Sequence, residues 1–377
     1  MSCPHCRKFI QLKYMGVRYI FILAGRNELK YTKDSALNLL KSEGQNLKDL
    51  YLEADAIRRQ KMGDEIYIRA IVEFSNICAH NCLYCGIRAS NKNVRRYSMT
   101  ADEIVEAAFS MEESNLSTIV LQSGESPGVR DEEIGNIIGR IKSETSLAVT
   151  VSVGNRPYET YQYWRECGMD RYFLRFETSS PELFGRLHPG CTLEERLACL
   201  RYLRELGIQT GSGFMIGLPG ETLDILSDNI LLCREFDLDM IGIGPFISHP
   251  DTPLGDAKNV YSEDPEVFFK ALAVLRIFNP ESHIPATTAF DAVFPGEGRT
   301  LALQRGANIF MPNSTPVKYR KDYLLYPGKP GVDEDPDECL ESAILRITSL
   351  GRSIGKGPGH SIKNRVRGSE NSRVRER

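Results

Sequence analysis

Eight short, β-branched runs alternate with amphipathic helical stretches along this chain, and that rhythm leaves few folds open. The runs are IYIRAIVEF (66–74), STIVLQ (117–122), LAVTVSV (147–153), RYFLRFE (171–177), QTGSGFMIG (209–217), MIGIG (240–244), HIPATT (283–288) and NIFMP (308–312). Between them lie ADEIVEAAFSMEES (101–114), DEEIGNIIGRIKSE (131–144), LEERLACLRYLRELG (193–207) and LDILSDNILLCREF (223–236), with apolar residues at three- and four-residue spacing. Strand, helix, strand, repeated in this way, is the pattern of a (β/α)8 barrel, with an open doubly wound sheet as the alternative.

The fold class expected is therefore α/β, a TIM-type (β/α)8 barrel over residues 64–326. An appendage (1–34) and two helices packing on the barrel (35–63) precede it; a helical segment (327–350) and a basic tail (351–377) follow. That tail is Gly-, Ser- and Arg-rich without periodicity, and is expected to be disordered. It holds eight Lys/Arg against two Glu in a chain whose formal net charge is −3, so the body is acidic and does not read as a nucleic-acid-binding surface. No apolar run approaches the roughly 20 residues that span a bilayer. The nearest, YIFILAG (19–25), has no small-residue cleavage site after it. Ten cysteines suit a reducing compartment, and a cytoplasmic location is expected.

In a barrel of this kind chemistry gathers at the C-terminal ends of the strands. There the first run leads into CAHNCLYC, with Cys78, Cys82 and Cys85 spaced C-x3-C-x2-C. Three thiolates are one short of the usual set for zinc or for an ordinary iron–sulfur cluster. A cubane with one iron open to a small molecule, a zinc knuckle lacking a partner and three buried thiols all fit that count. His80, inside the loop, reads as solvated, though it is itself a candidate ligand. Later strand ends carry QSGES (122–126), Ser152 and Gly154, Arg175 and Glu177, GLPGE (217–221) and Thr287-Thr288. CPHC, with Cys3 and Cys6, is a lone C-x2-C and weak evidence for metal. Cys167, Cys191, Cys199 and Cys233 sit in or beside helices and read as small core residues.

The cysteine spacing, with Tyr84 before the last cysteine, resembles the radical S-adenosylmethionine (SAM) superfamily. Ser123-Gly124-Glu125 resembles that superfamily's GGE motif, and GFMIGLPGE (213–221) its strand beside the adenine. Longer strings narrow the resemblance: VEFSNICAHNCLYCGIR, DRYFLRFET, DMIGIGPFISHPDTPL, IPATTA, GANIFMPN and YLLYPGK are similar, in order, to the HydE family of FeFe-hydrogenase maturases.

That resemblance implies one 4Fe-4S cluster held by Cys78, Cys82 and Cys85, with SAM on the open iron. It implies Tyr84, Ser123, Gly124, Glu125, Glu177, Arg196 and Gly217 at the SAM site. Arg69, Gln122, Thr150, Arg171, Arg175, Thr287, Thr288, Met311, Tyr323 and Tyr326 would line a cavity for a small organometallic substrate. The maturases HydG and HydF, and a one-electron donor such as a ferredoxin or flavodoxin, are the implied partners; nucleic acid and membrane are not. Blander readings stand beside these: a surface ion pair for Arg196, and salt bridges with Glu73 or Asp170 for Arg69 and Arg171. A HydE-like paralogue, a methylornithine synthase-type enzyme and a non-enzymatic iron–sulfur carrier are the rival functions. Only Cys339 falls in PGVDEDPDECLES, where some HydE proteins bind an accessory cluster, so a second cluster is not expected.

Overall fold

The computed structural model describes residues 31–126 and 130–363. The CPHC motif, most of the N-terminal appendage and the tail from 364 onward lie outside the described residues. A parallel sheet runs from Ala70–Ser75 through Thr118–Ser123, Ala148–Ser152, Arg171–Phe173 and Gln209–Ser212 to Met240–Ile241. Met240 then bridges His283, just ahead of Pro285–Ala286, and that strand pairs with Ile309–Phe310. Ile309–Phe310 returns to Glu65–Ile68, while Ile71 bridges Asn313 and its N–H donates to Pro312 O at 3.0 Å. The ring is shut. Each of the eight runs supplies one stave, several shorter than expected, and the first is broken at Arg69 into Glu65–Ile68 and Ala70–Ser75.

Both faces of the staves are covered, as a parallel sheet requires. Ile119, Leu121, Val149, Val151 and Tyr172 are all essentially without solvent contact. The surrounding helices start where the sequence places stops. Thr100 with Glu103, and Thr192 with Glu195, form reciprocal capping boxes on Ala101–Glu113 and Leu193–Glu205. The helix Glu266–Phe278 is buried at every position from Val267 to Phe278. Lys33–Leu40 and Gly44–Met62 pack over its outer side, so it lacks the single apolar stripe that marks the other helices.

The tail differs most from expectation. Residues 351–363 are part of the folded body and cross the N-terminal mouth of the barrel. Ser353–Ile354 pairs in parallel with Glu65–Ile68, and the next residues cap a layer of polar side chains. Arg69 Nη2 donates to Gly359 O at 2.8 Å and Arg171 Nη2 to Pro358 O at 2.7 Å. His283 Nε2 lies 3.2 Å from His360 O, and Ser361 Oγ donates to Asp239 Oδ1 at 2.5 Å. Gly355 and Gly359 lie against the ring of Tyr67; a Cβ on either would come within 2.6 Å of it. The glycines that read as disorder are there for close packing.

Candidate functional site

The loop after Ala70–Ser75 is stitched to the opposite rim at several points. Ala79 N–H donates to Glu125 O at 2.8 Å, Leu83 N–H to Leu187 O at 2.9 Å, and Gly86 N–H to Leu325 O at 3.0 Å. Tyr84 OH lies 2.7 Å from His188 Nε2, whose other nitrogen faces Phe184 O at 3.1 Å. Burial, and then the charge of Arg196, pull His188 down to about 4, so the ring is neutral and the Tyr84 hydroxyl donates to it. Gly124 has no room for a side chain: a Cβ would sit 2.4 Å from Ile77 O and 2.8 Å from Cys78 Cβ. Cys78, Cys82 and Cys85 follow one another along this loop, each partly covered, and among the described residues no three His, Cys, Asp or Glu side chains are already gathered as a metal would need. Burial raises all three, Cys85 to about 12, so at neutral pH they stay thiols until a metal displaces their protons.

Beside them stands a charged group that sequence reasoning only half found. His80 is not simply solvated. Its Nε2 lies 3.1 Å from Glu125 Oε1, and Nδ1 lies 3.3 Å from Cys191 Sγ. Arg196 Nη2 approaches Glu125 Oε2 at 3.7 Å, and Glu195 is engaged by Thr192, which removes the surface ion pair as an account of Arg196. Burial would raise Glu125, but the His80 hydrogen bond and the Arg196 charge more than offset it, leaving the carboxyl below its usual range. Glu177 has φ +65°, a left-handed backbone that costs a non-glycine residue about 1–3 kcal/mol. Gly213 O and Met215 N–H hold it there, at 3.0 and 3.1 Å. Glu177 Oε2 and Arg196 Nε are buried without a hydrogen-bond partner among the described residues. Buried polar groups left in this way call for a partner, and the polar atoms of a ligand would supply one.

On the far side of Glu177, Gly217 (φ +87°) donates its N–H to Glu221 Oε1 at 2.8 Å, and a Cβ there would collide with Asn259. Further into the barrel the predicted cavity residues fall into two groups. Gln122 Nε2 donates to Tyr323 OH at 3.2 Å, Thr288 Oγ1 and Tyr326 OH are 2.6 Å apart, and Thr287 Oγ1 donates to Ile243 O at 2.7 Å. Arg175 is tied to Gly242 O and Phe214 O, Thr150 Oγ1 is buried with no partner among the described residues, and Met311 is half-buried. Apart from Thr150, which is in register with Arg171, these lie toward the C-terminal ends of the staves. Arg69 and Arg171 belong to the other mouth, among the groups that bind residues 358–360. Neither pairs with Glu73 or Asp170, which are engaged by Lys329 and Lys142 respectively.

Lys329, in YPGK, was missed. It forms a buried ion pair with Glu73 and donates to Tyr323 O at 3.2 Å, tying the segment after the last stave to the first one. Cys339 is buried against Arg320 and Glu334, and Cys199 and Cys233 are core residues as read.

The sequence pattern of the Radical SAM superfamily matches residues 72–233, which take in the cysteine loop, Glu125, Glu177 and Gly217. The [FeFe] hydrogenase maturase subunit HydE of Thermotoga maritima is 50% identical over 310 residues, covering 82% of this chain and 88% of that protein. The chain belongs to the HydE family of radical SAM enzymes. Two solved structures share its fold: methylornithine synthase (PylB), with TM-score 0.75 and 24% identity over 86% of this chain and 94% of that one, and the maturase HydG of Carboxydothermus hydrogenoformans, with TM-score 0.74 and 22% identity over 86% and 76%. At that identity they bear on the fold alone.

The cofactors of a radical SAM enzyme are a 4Fe-4S cluster and SAM. The HydE-family rim fits both. Its three thiols supply soft donors for iron, one fewer than a cubane has irons. The orphaned Glu177 oxygen and Arg196 Nε offer an acceptor and a donor that no protein group takes. Gly124 and Gly217 are buried where a Cβ would meet Ile77 and Cys78 or Asn259, so both strand ends pack closely beside these groups. Among the described residues, no helix is long and apolar enough to cross a membrane.

Proposed function

We propose that this protein is a hydrogenase maturase of the HydE type, acting on a cysteine-ligated iron dicarbonyl cyanide unit made by HydG. The observation that carries the reading is the 50% identity to the Thermotoga maritima maturase along 82% of the chain, against 26% to a methylornithine synthase matched over a similar length. In this reading Cys78, Cys82 and Cys85 would hold the cluster, and SAM would bind beside it. When bound, the cluster and SAM together supply one-electron cleavage to methionine and a 5′-deoxyadenosyl radical.

The chain's own residues bind, orient and shield. Glu125, held by His80 and Ala79, accepts the methionine ammonium; Arg196 meets the carboxylate with a fixed guanidinium fork. Glu177 turns its free oxygen to the ribose hydroxyls, and the strand end at Gly217 lies along the adenine. Ser123, Gly124 and Tyr84 keep the rim tight around these groups. Gln122, Thr150, Arg175, Thr287, Thr288, Met311, Tyr323 and Tyr326 form a substrate chamber rich in hydrogen-bond donors. Arg69 and Arg171 contribute positive charge from its floor, where burial, and then the neighbouring Arg171, hold Arg69 well below its ordinary pKa. HydF and a ferredoxin- or flavodoxin-type donor complete the set of partners.

Reconstituted anaerobically, the protein should hold about four irons per chain. With dithionite and SAM it should yield methionine and 5′-deoxyadenosine. Combined replacement of Cys78, Cys82 and Cys85 by Ser should abolish both. Given the HydG product, it should form an adenosylated iron–cysteine species and support hydrogenase activation with HydG and HydF. SAM cleavage without reaction on that product would reject the substrate assignment in favour of a paralogue.

Glu177→Gln should keep the cluster and weaken SAM binding. A lost charged hydrogen bond is worth about 1.5–3 kcal/mol, or roughly ten- to hundred-fold in the dissociation constant. An unchanged constant would remove Glu177 from the ribose site.

A further inference from the structure

The strand end that lies along the adenine in this reading is held from outside by one half-buried side chain, Asn259. Met215–Ile216 pairs in parallel with Gly244–Pro245, and each of these strands is only two residues long. After Phe246 the chain runs past the cysteine loop, where Leu254 N–H donates to Leu83 O at 3.3 Å. There Leu254 and Ala257 join Tyr84, Met215 and Phe246 in a small apolar cluster. The chain then returns to the strand pair at Asn259. Its Nδ2 donates to Ile216 O and to Phe246 O, both at 2.9 Å, and its Oδ1 accepts from Tyr261 N–H at 2.9 Å. Donor and acceptor ends of the amide are both engaged, which settles its orientation.

The strand end itself has its polar backbone fully occupied. Ile216 O accepts from Asn259 and also from Phe246 N–H at 2.8 Å. Gly217 N–H donates to Glu221 Oε1 at 2.8 Å, and Gly217 O accepts from Val260 N–H at 3.1 Å. On the other side, Met215 N–H donates to Glu177 O at 3.1 Å. The strand is thus tied to the residue read as the ribose acceptor and, across from it, to Asn259. A base lying along Ile216–Gly217 would meet a packing surface and no free donor or acceptor, so its fit depends on where that backbone stands. Gly217, at φ +87°, is a residue with few conformational limits of its own. Asn259 Oδ1 sits 1.7 Å from the place a Gly217 Cβ would take, directly against it.

We propose that Asn259 is a positioning residue for SAM, setting the Ile216–Gly217 backbone against which the adenine rests. The inference rests on the reading of that strand end as the adenine site. An asparagine suits the task because one amide group bridges the carbonyls of two neighbouring strand ends whose own ladder is too short to fix them. An aspartate of the same shape would turn an oxygen toward both carbonyls.

The test compares ligands that fill one end of the SAM site or both. Reconstituted wild type, Asn259→Ala, Asn259→Asp and Val260→Ala are titrated with SAM, 5′-deoxyadenosine and methionine by equilibrium dialysis. Asn259→Ala should weaken SAM and 5′-deoxyadenosine by about tenfold, as befits the loss of neutral hydrogen bonds, and Asn259→Asp should weaken them further. Methionine should bind all of these proteins alike. Val260→Ala should match wild type, since that side chain is exposed and the N–H is kept. Amide exchange of the metal-free chains supplies a second measurement that needs no cluster. Residues 215–217 should exchange faster in Asn259→Ala, while Ile119 and Val149 should stay as protected as in wild type. SAM and 5′-deoxyadenosine bound as tightly as by wild type would overturn the proposal. Equal weakening of all three ligands, or faster exchange across the whole barrel, would overturn it too, by making Asn259 a residue of general stability. A wild type that binds methionine but not 5′-deoxyadenosine would instead bring down the adenine reading of the strand end.

Discussion

Ending the chain after Arg352 should lower the melting temperature by about 10 °C, although the deletion touches none of the cluster or SAM residues. The segment removed supplies the carbonyls that accept from Arg69 and Arg171 and the one beside His283 Nε2. Charged hydrogen bonds contribute about 1.5–3 kcal/mol each, so losing the two arginine bonds alone costs about 3–6 kcal/mol. Water entering the opened mouth would replace part of this, which favours the lower half of that range. Folded domains have only about 5–15 kcal/mol in hand. At about 2–4 °C per kcal/mol for a large domain, the loss is easily read by circular dichroism. A shift within about 2 °C would mean that residues 353–363 lie on the barrel without holding it. Ending the chain after Lys363 keeps every one of these contacts and should melt like the full protein.

Lys329→Met should be as damaging from the other mouth. Lys329 and Glu73 are paired with side chains only 7% and 3% exposed, so removing the ammonium strands a carboxylate in the barrel wall. Breaking such a pair from one side costs about 3–5 kcal/mol, whereas replacing both members is often close to neutral. The double variant Glu73→Gln/Lys329→Met should therefore recover most of the stability lost in the single one, as read by urea unfolding. Equal destabilisation in both would show that Lys329 acts through Tyr323, whose carbonyl it also binds, and not through the charge of Glu73. Tyr323 touches Gln122, so loss of Lys329 should loosen the chamber roof as well.

What could be read from sequence, and what could not, divides along physical lines. Strand runs announce themselves through β-branched residues, and all eight were legible because burial on both faces demands such residues. Helix starts were legible where a side chain does the capping, as at Thr100 and Thr192. The helix at 266–278 was not, because it is covered on both sides and loses the one-faced pattern that periodicity detects. Cys78, Cys82 and Cys85 stood out because their chemistry requires neighbours in sequence. Cys191 and Lys329 meet their partners over 111 and 256 residues, and no local pattern records such meetings. Residues 355–360 misled for a different reason. They act through backbone carbonyls and through glycines that lack side chains, and that composition is also the signature of an unstructured segment.

The order in which the chain is synthesised gives that segment one more role. Arg69 leaves the ribosome 290 residues before Gly359, its partner across the mouth. At about 5–20 residues per second, the nascent polypeptide carries the first stave for roughly 15–60 s before the segment that closes that mouth exists. Through that interval one edge of Glu65–Ile68 has no strand to pair with, and such an edge invites pairing with other chains. The N-terminal mouth is thus closed only late, and the yield of intact protein in a cell should depend on chaperones that shield the waiting edge.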